Sequence, residues 1–192
     1  MNTLTIYLLS ISLLFVAAIF IFRVPVRRDY LRIGHLSVGT SALQALLFFV
    51  YGGFPSIYLP AEWPVSHVNL VLRVIGLTLI TIGLAVILVG ISRLGILRSC
   101  GRQSGVLRES GFYRVTRNPQ VLGCVSYVIG FVMLWPSCYA LGWGLLFAPI
   151  IHIMVLTEEQ HLRNTYGEEY ERYCSRVPRY LGFPKGRQRG TT

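Results

Sequence analysis

The sequence predicts an all-α polytopic membrane protein, with five transmembrane helices and a C-terminal cytoplasmic amphipathic helix. Three observations carry that prediction. First, 53% of the 192 residues are hydrophobic and only 14% are charged, whereas soluble domains carry about 25% charged residues. Second, five apolar runs approach the roughly 20 residues that a helix needs to cross a bilayer. Third, the loops between the runs are alternately basic and neutral, the pattern set by the positive-inside rule. The net charge of +10 is thereby explained by cytoplasmic loops, and no nucleic-acid partner is required.

Taken in order, Thr3 to Phe22 is the first run. It has no basic segment before it and passes directly into Arg23, Arg27, Arg28 and Arg32, so it reads as an anchor with a basic flank rather than a cleaved leader. Leu36–Phe54 is the second run, with Gln44 its one strongly polar side chain, and Val74–Ser92 is the third. Pro119–Trp135 and Tyr139–Leu156 are separated by Pro136, Ser137 and Cys138 alone, a link short enough to make an antiparallel helical hairpin. The loop holding Arg93, Arg98, Arg102, Arg108, Arg114 and Arg117 is basic, and so is the stretch after Leu156. The expected topology has the N-terminus outside, the C-terminus and the polar site on the cytoplasmic face, and membrane lipids as neighbours.

Residues 1–92 form the N-terminal three-helix unit in this reading. Residues 93–182 form a catalytic region of loop, hairpin and C-terminal helix, and 183–192 a basic flexible tail. Gly76, Gly83 and Gly90 recur every seven residues, a smooth stripe suited to close helix packing. Cys100, Cys124, Cys138 and Cys174 make no C-x-x-C pair and are expected as reduced thiols. Trp63, Trp135 and Trp143 fall where an outer aromatic belt would lie.

The polar information lies in two blocks flanking the hairpin. The first runs from Gly111 through Tyr113, Arg117, Asn118 and Pro119 to Gly123; the second runs from Glu158-Glu159 through His161, Leu162, Tyr166, Tyr170 and Tyr173 to Val177-Pro178-Arg179. A hairpin returns its ends to one side, so the two blocks must converge. Asn118 before Pro119 suits a helix start, and such a start beside Arg117 attracts an anion. Glu158 and Glu159 suit a cation, ribose hydroxyls or an amine. Glu159–Arg163 and Glu168–Arg172 are expected as i,i+4 pairs. Each feature also has a purely structural reading, as headgroup contacts, a solvated helix start or interfacial packing. No metal site is expected, because Glu158-Glu159-x-His161 lacks the second histidine of H-E-x-x-H.

Together the blocks resemble the integral membrane methyltransferases typified by isoprenylcysteine carboxyl methyltransferase and the phospholipid methyltransferases. Gly111, Tyr113, Arg117, Asn118, Pro119 and Gly123 match the family's G-P-Y-x-x-x-R-[HN]-P-x-Y-x-G run. Glu158, Glu159, Leu162, Tyr166, Gly167, Tyr170, Tyr173, Val177, Pro178 and Arg179 match its E-E-x-x-L to V-P-R segment. Leu94-Gly95 and Ser99 fit an upstream L-G-x-x-x-S. The chain departs at Phe112, where proline is usual, at Val121, where tyrosine is usual, and at Arg98, where tryptophan is common.

The resemblance implies methyl transfer from S-adenosylmethionine to a lipophilic acceptor at the membrane surface. An isoprenylcysteine-type carboxylate is favoured, with a phospholipid amine as the alternative. Arg117, Glu158 and Glu159 are the implied catalytic residues. Tyr113, Arg117, Asn118, Pro119, Gly123, Glu158, Glu159 and Tyr166 are the implied cofactor-binding set. The rival readings are an NADPH-dependent membrane reductase of the sterol-reductase kind and a non-enzymatic lipid-binding or scaffold protein.

Overall fold

A computed structural model describes residues 2–53, 69–94, 107 and 111–182. All regular structure among them is helical. The helices are α1 (Thr3–Ile21), α2 (Arg27–Ile33), α3 (Val38–Gly53), α4 (Leu70–Leu94), α5 (Pro119–Leu134), α6 (Cys138–Tyr166) and α7 (Glu168–Arg176). Three helical stretches, Thr3–Ile33, Leu70–Gly90 and Cys138–Tyr166, are long and apolar enough to cross a membrane. Val38–Gly52 and Pro119–Leu134 are apolar but shorter. Trp63, Gly95, Arg98, Ser99, Cys100 and the segment 183–192 lie outside the described residues.

The basic flank after the first apolar run is helical, where the sequence suggested a loop. A single π-helical turn, Phe22–Val26, joins α1 to α2 and contains Pro25. Proline lacks an N–H and crowds the preceding turn. The wider turn absorbs this, with the Arg27 N–H donating to the Phe22 carbonyl five residues back. Gly34, at φ +70°, ends α2 in a left-handed conformation that glycine adopts without cost. The chain then turns into α3, and the buried Asp29 carboxylate accepts a 3.0 Å bond from the Ser37 N–H.

Helix α6 is central, with α1, α3 and α5 packed on it and α4 packed on α5. Contacts at the ends fix the directions. Tyr7 donates to the Tyr139 carbonyl at 2.8 Å, and Arg27 Nε donates to Gln160 at 3.1 Å, so α1 runs parallel to α6. Tyr51, at the end of α3, meets Trp143, near the start of α6, so these two run antiparallel. Their rings stack 4.9 Å apart. Tyr51 Oη donates to the Trp143 carbonyl at 2.8 Å, and Trp143 Nε1 donates to the Tyr51 carbonyl at 3.1 Å. Trp143 is thus fully buried in a helix–helix clasp rather than exposed in a belt. Ser137 caps α6 by accepting from the Ala140 N–H.

The seven-residue glycine stripe meets a matching one. Gly76 faces Gly130 and Gly83 faces Gly123, while Gly90 faces the Gln120 side chain. The pairs run in opposite directions along the chain, so α4 and α5 are antiparallel. A Cβ at Gly83 would fall 2.6 Å from the Gly123 carbonyl oxygen, and one at Gly130 would meet the Gly76 carbonyl as closely. Backbone therefore touches backbone, the contact that small residues permit between apolar helices. Gly83→Ala is expected to destabilise the protein by about 1–3 kcal/mol through overpacking, read as a lower thermal midpoint in detergent. Gly39→Ala, with nothing within 4 Å of its Cβ, is the control and should leave the midpoint unchanged or slightly raised.

Candidate active site

The polar site is built where the hairpin's open end meets the chain that follows it. Helix α6 outlasts its apolar run and carries Glu158, Glu159 and His161 on its last turns before ending at Tyr166. Gly167, at φ +51°, lets the chain reverse into α7. That reversal buries Tyr170, Tyr173 and Val177 against Leu107, Leu162 and Tyr166. The aromatic stripe in the sequence is therefore two helices folded face to face. Glu168, Glu169, Glu171 and Arg172 occupy the exposed side of α7. The expected Glu168–Arg172 pair is present at 3.7 Å. Arg163, however, pairs with Glu171 of α7 at 2.8 Å, because Glu159 is turned inward.

Beyond α7, residues 177–180 form a strap back across the hairpin. The Pro178 carbonyl accepts from the Arg117 N–H at 3.0 Å. The Arg179 carbonyl accepts from Asn118 Nδ2 at 3.0 Å and from Thr116 Oγ1 at 3.2 Å. Tyr180 Oη lies 3.0 Å from His152 Nδ1, deep along α6. Tyr173 Oη donates to the Tyr113 carbonyl at 2.7 Å, which ties the turn Gly111–Arg114 to α7. Asn118 stands at the start of α5 as expected, but its side chain holds the strap instead of capping the helix. The place expected to receive an anion is thus crossed by the protein's own backbone.

The strap delivers Arg179 to Glu159. The Glu159 side chain is 2% exposed and accepts from Arg179 Nε at 2.9 Å and Nη2 at 2.7 Å. From the other side Arg117 Nη1 approaches it at 3.1 Å. The Arg117 side chain is 10% exposed and that of Arg179 is 31% exposed. Arg117 Nη1 also contacts Cys174 Sγ, and its Nε is buried with no hydrogen-bond partner among the described residues. The bonds to Glu159 push the Arg179 guanidinium above its ordinary value. Burial, together with nearby Glu159 and Cys174, pushes the Tyr170 phenol up, against the opposing pull of Arg117.

Glu158 has a different environment. It is partly buried, it lies within electrostatic reach of Glu159 and Tyr30, and it has no hydrogen bond or ion pair among the described residues. One glutamate is saturated by two guanidiniums; its neighbour, about 100° around the helix, has no counter-ion among the described residues.

Arg117, Asn118, Glu159 and the Tyr113 backbone are thus joined through α7 and the strap, and Tyr166 packs against the same aromatic cluster. Pro119 is buried at the first turn of α5. Gly123 lies apart, in the packing against Gly83. Of the departures, Val121 is buried in the helical core and Phe112 is exposed. Arg179 and Tyr170 were present in the second sequence block, but only the folded strap and α7 reveal them as partners of Arg117 and Glu159. No group of three or more metal-ligating side chains occurs among the described residues.

The phospholipid methyltransferase family profile matches residues 71–169, just over half the chain. The chain belongs to that family. No curated protein and no solved structure shows significant similarity. The matched segment of this methyltransferase contains Arg117, Glu158 and Glu159, whereas Arg179 and the strap lie beyond it.

The two glutamates should respond differently to loss of charge. Glu159→Gln leaves the buried Arg117 without its counter-ion, a defect that costs about 3–5 kcal/mol in such settings. It should lower the thermal midpoint and expose the chain after Gly167 to protease. Glu158→Gln removes no ion pair among the described residues and should leave both measurements near wild type.

Proposed function

We propose that the protein transfers a methyl group from S-adenosylmethionine to a lipophilic acceptor at the membrane surface, and that the acceptor is a phospholipid amine. The observation that carries this reading is the partly buried Glu158 carboxylate, which has no counter-ion among the described residues, beside a site whose two guanidiniums are already engaged by Glu159. Burying an unpaired carboxylate is costly, and a cationic group brought beside it would offset that cost.

The residues present fit the donor. Its amino-acid end carries a carboxylate, complementary to the Arg117 Nε that has no hydrogen-bond partner among the described residues. Tyr113 and Tyr166 would flank the adenosine. S-adenosylmethionine supplies a methyl carbon on a positively charged sulfur; the acceptor–carbon bond forms as the carbon–sulfur bond breaks, and its electron pair stays on sulfur. The protein's contribution is alignment, which supplies several kcal/mol. A protonated amine must lose a proton before it attacks, and Glu158 is the base that the site offers. Arg117, Glu159 and Arg179 keep the strap closed over this site. O-methylation of an isoprenylcysteine-type carboxylate is the second reading, favoured only by the Arg117 Nε, which has no hydrogen-bond partner among the described residues.

The same proposal includes five membrane passes, with the N-terminus outside and the site cytoplasmic. The alternating directions of α1, α3, α4, α5 and α6 support it, as do the arginines at the α2 and α7 end of the bundle. A lipid acceptor would enter sideways between helices. The full chain in detergent is expected to bind S-adenosylhomocysteine saturably and to methylate an ethanolamine phospholipid. Glu158→Gln should lower turnover by about 10- to 100-fold, the loss expected for one hydrogen bond to a charged group. Binding of NADPH in its place would return the reductase reading, and transfer only to a prenylated carboxylate would return the second one.

A further inference from the structure

Helix α2 lies outside the segment matched by the family, yet it is fastened to the catalytic end of α6. The Tyr30 ring stacks on His161, with centroids 4.3 Å apart and planes 8° from parallel. Thr165 Oγ1 lies 3.4 Å from His161 Nδ1 on the side of the next turn. Arg27 Nε bonds Gln160, and Asp29 anchors the far side of α2 to the start of α3. His161 stands three residues after Glu158, on the same face of α6. Tyr30 therefore stands beside Glu158, and the two interact electrostatically. The Tyr30 hydroxyl has no hydrogen-bond partner among the described residues, and neither has the Glu158 carboxylate.

We infer that Tyr30 is a ligand-binding residue of the site, its ring and the Glu158 carboxylate together forming a seat for a cationic ligand group. An anion beside an aromatic ring is the pairing that recognises ammonium and sulfonium groups, because the ring face is attracted to positive charge. His161 covers one face of the ring and holds its plane in register with α6. The N-terminal unit is then more than a membrane anchor: α2 completes a wall that the hairpin and tail leave unfinished. This inference rests on the methyltransferase reading. The shared chemistry is a cationic nitrogen or sulfur, carried by the donor's amino-acid end or by the amine acceptor.

The test uses the full chain in lipid nanodiscs, with S-adenosylhomocysteine and S-adenosylmethionine binding measured by calorimetry and methyl transfer measured on an ethanolamine phospholipid. Tyr30→Leu should weaken the donor Kd or raise the acceptor KM by about 10-fold, within the range of a partly desolvated cation–π contact. Tyr30→Phe should restore that constant to within about 3-fold. A shift in donor Kd identifies the cation as the donor's, and a shift in acceptor KM identifies it as the acceptor's amine. If Tyr30→Leu lowers the thermal midpoint while both constants stay at wild type, Tyr30 only packs α2 and the inference is overturned. Equal losses in the Phe and Leu variants also overturn it. Wild-type protein that binds neither donor form removes the methyltransferase reading itself, an outcome distinct from both.

Discussion

One buried carboxylate organises the end of the molecule where chemistry is proposed. Glu159 is held by Arg117 from the start of the hairpin and by Arg179 from the strap, so three distant parts of the chain meet on a single charge. Taking such a charge out of water is costly, and the attraction offsets that cost only when geometry and partners are complete. Completeness here requires α6 to run past its apolar stretch, the chain to reverse at Gly167 and the strap to return across α5. Each of these is a precondition of the ion triad, and the triad in turn holds the loop, hairpin and tail in one arrangement.

That constraint divides the labour of the adjacent glutamates. A residue bonded on both oxygens by guanidiniums serves the fold; its neighbour, without a counter-ion among the described residues, is the one proposed to meet a ligand. Chemically equivalent side chains acquire different environments through a rotation of one residue around a helix. The aromatic cluster of Tyr166, Tyr170 and Tyr173 supports the arrangement from beneath, and the Tyr173 hydroxyl extends it to the turn that carries Tyr113.

Much of this was legible in the sequence. The apolar runs located α1, α3, α4, α5 and the start of α6 to within a few residues, since hydrophobicity fixes where a chain can be buried in lipid; α2 and the last ten residues of α6 lay beyond them. The glycine spacing foretold a close helix contact for α4, because only a missing Cβ lets two backbones touch, but not that α5 would be the partner. The convergence of the two polar blocks followed from the shortness of the hairpin link. What stayed hidden depended on tertiary choice. Local spacing pairs Glu159 with Arg163, but a buried site offering two guanidiniums outcompetes one exposed neighbour. Asn118 has the chemistry of a helix cap, yet the returning strap claims its amide. Arg23 to Arg32 looked like a loop because its charges suggest one, whereas it is helical and a wider turn accommodates Pro25. Gly123 matched a family motif and proved to be part of the glycine contact.

The π turn at Phe22–Val26 sets the reach of the N-terminal rod. That rod is fixed to α6 at both extremities, Tyr7 against Tyr139 and Tyr30 against His161. Between those fastenings the rod advances 23 residues and α6 advances 22, about 33 Å at the helical rise. Two straight helices of unequal count could not satisfy both fastenings without misaligning one by about 1.5 Å and a rotation of roughly 100°. The single wide turn takes up the surplus residue, so it works as a length adjuster that brings the Tyr30 ring to the depth and azimuth of its histidine.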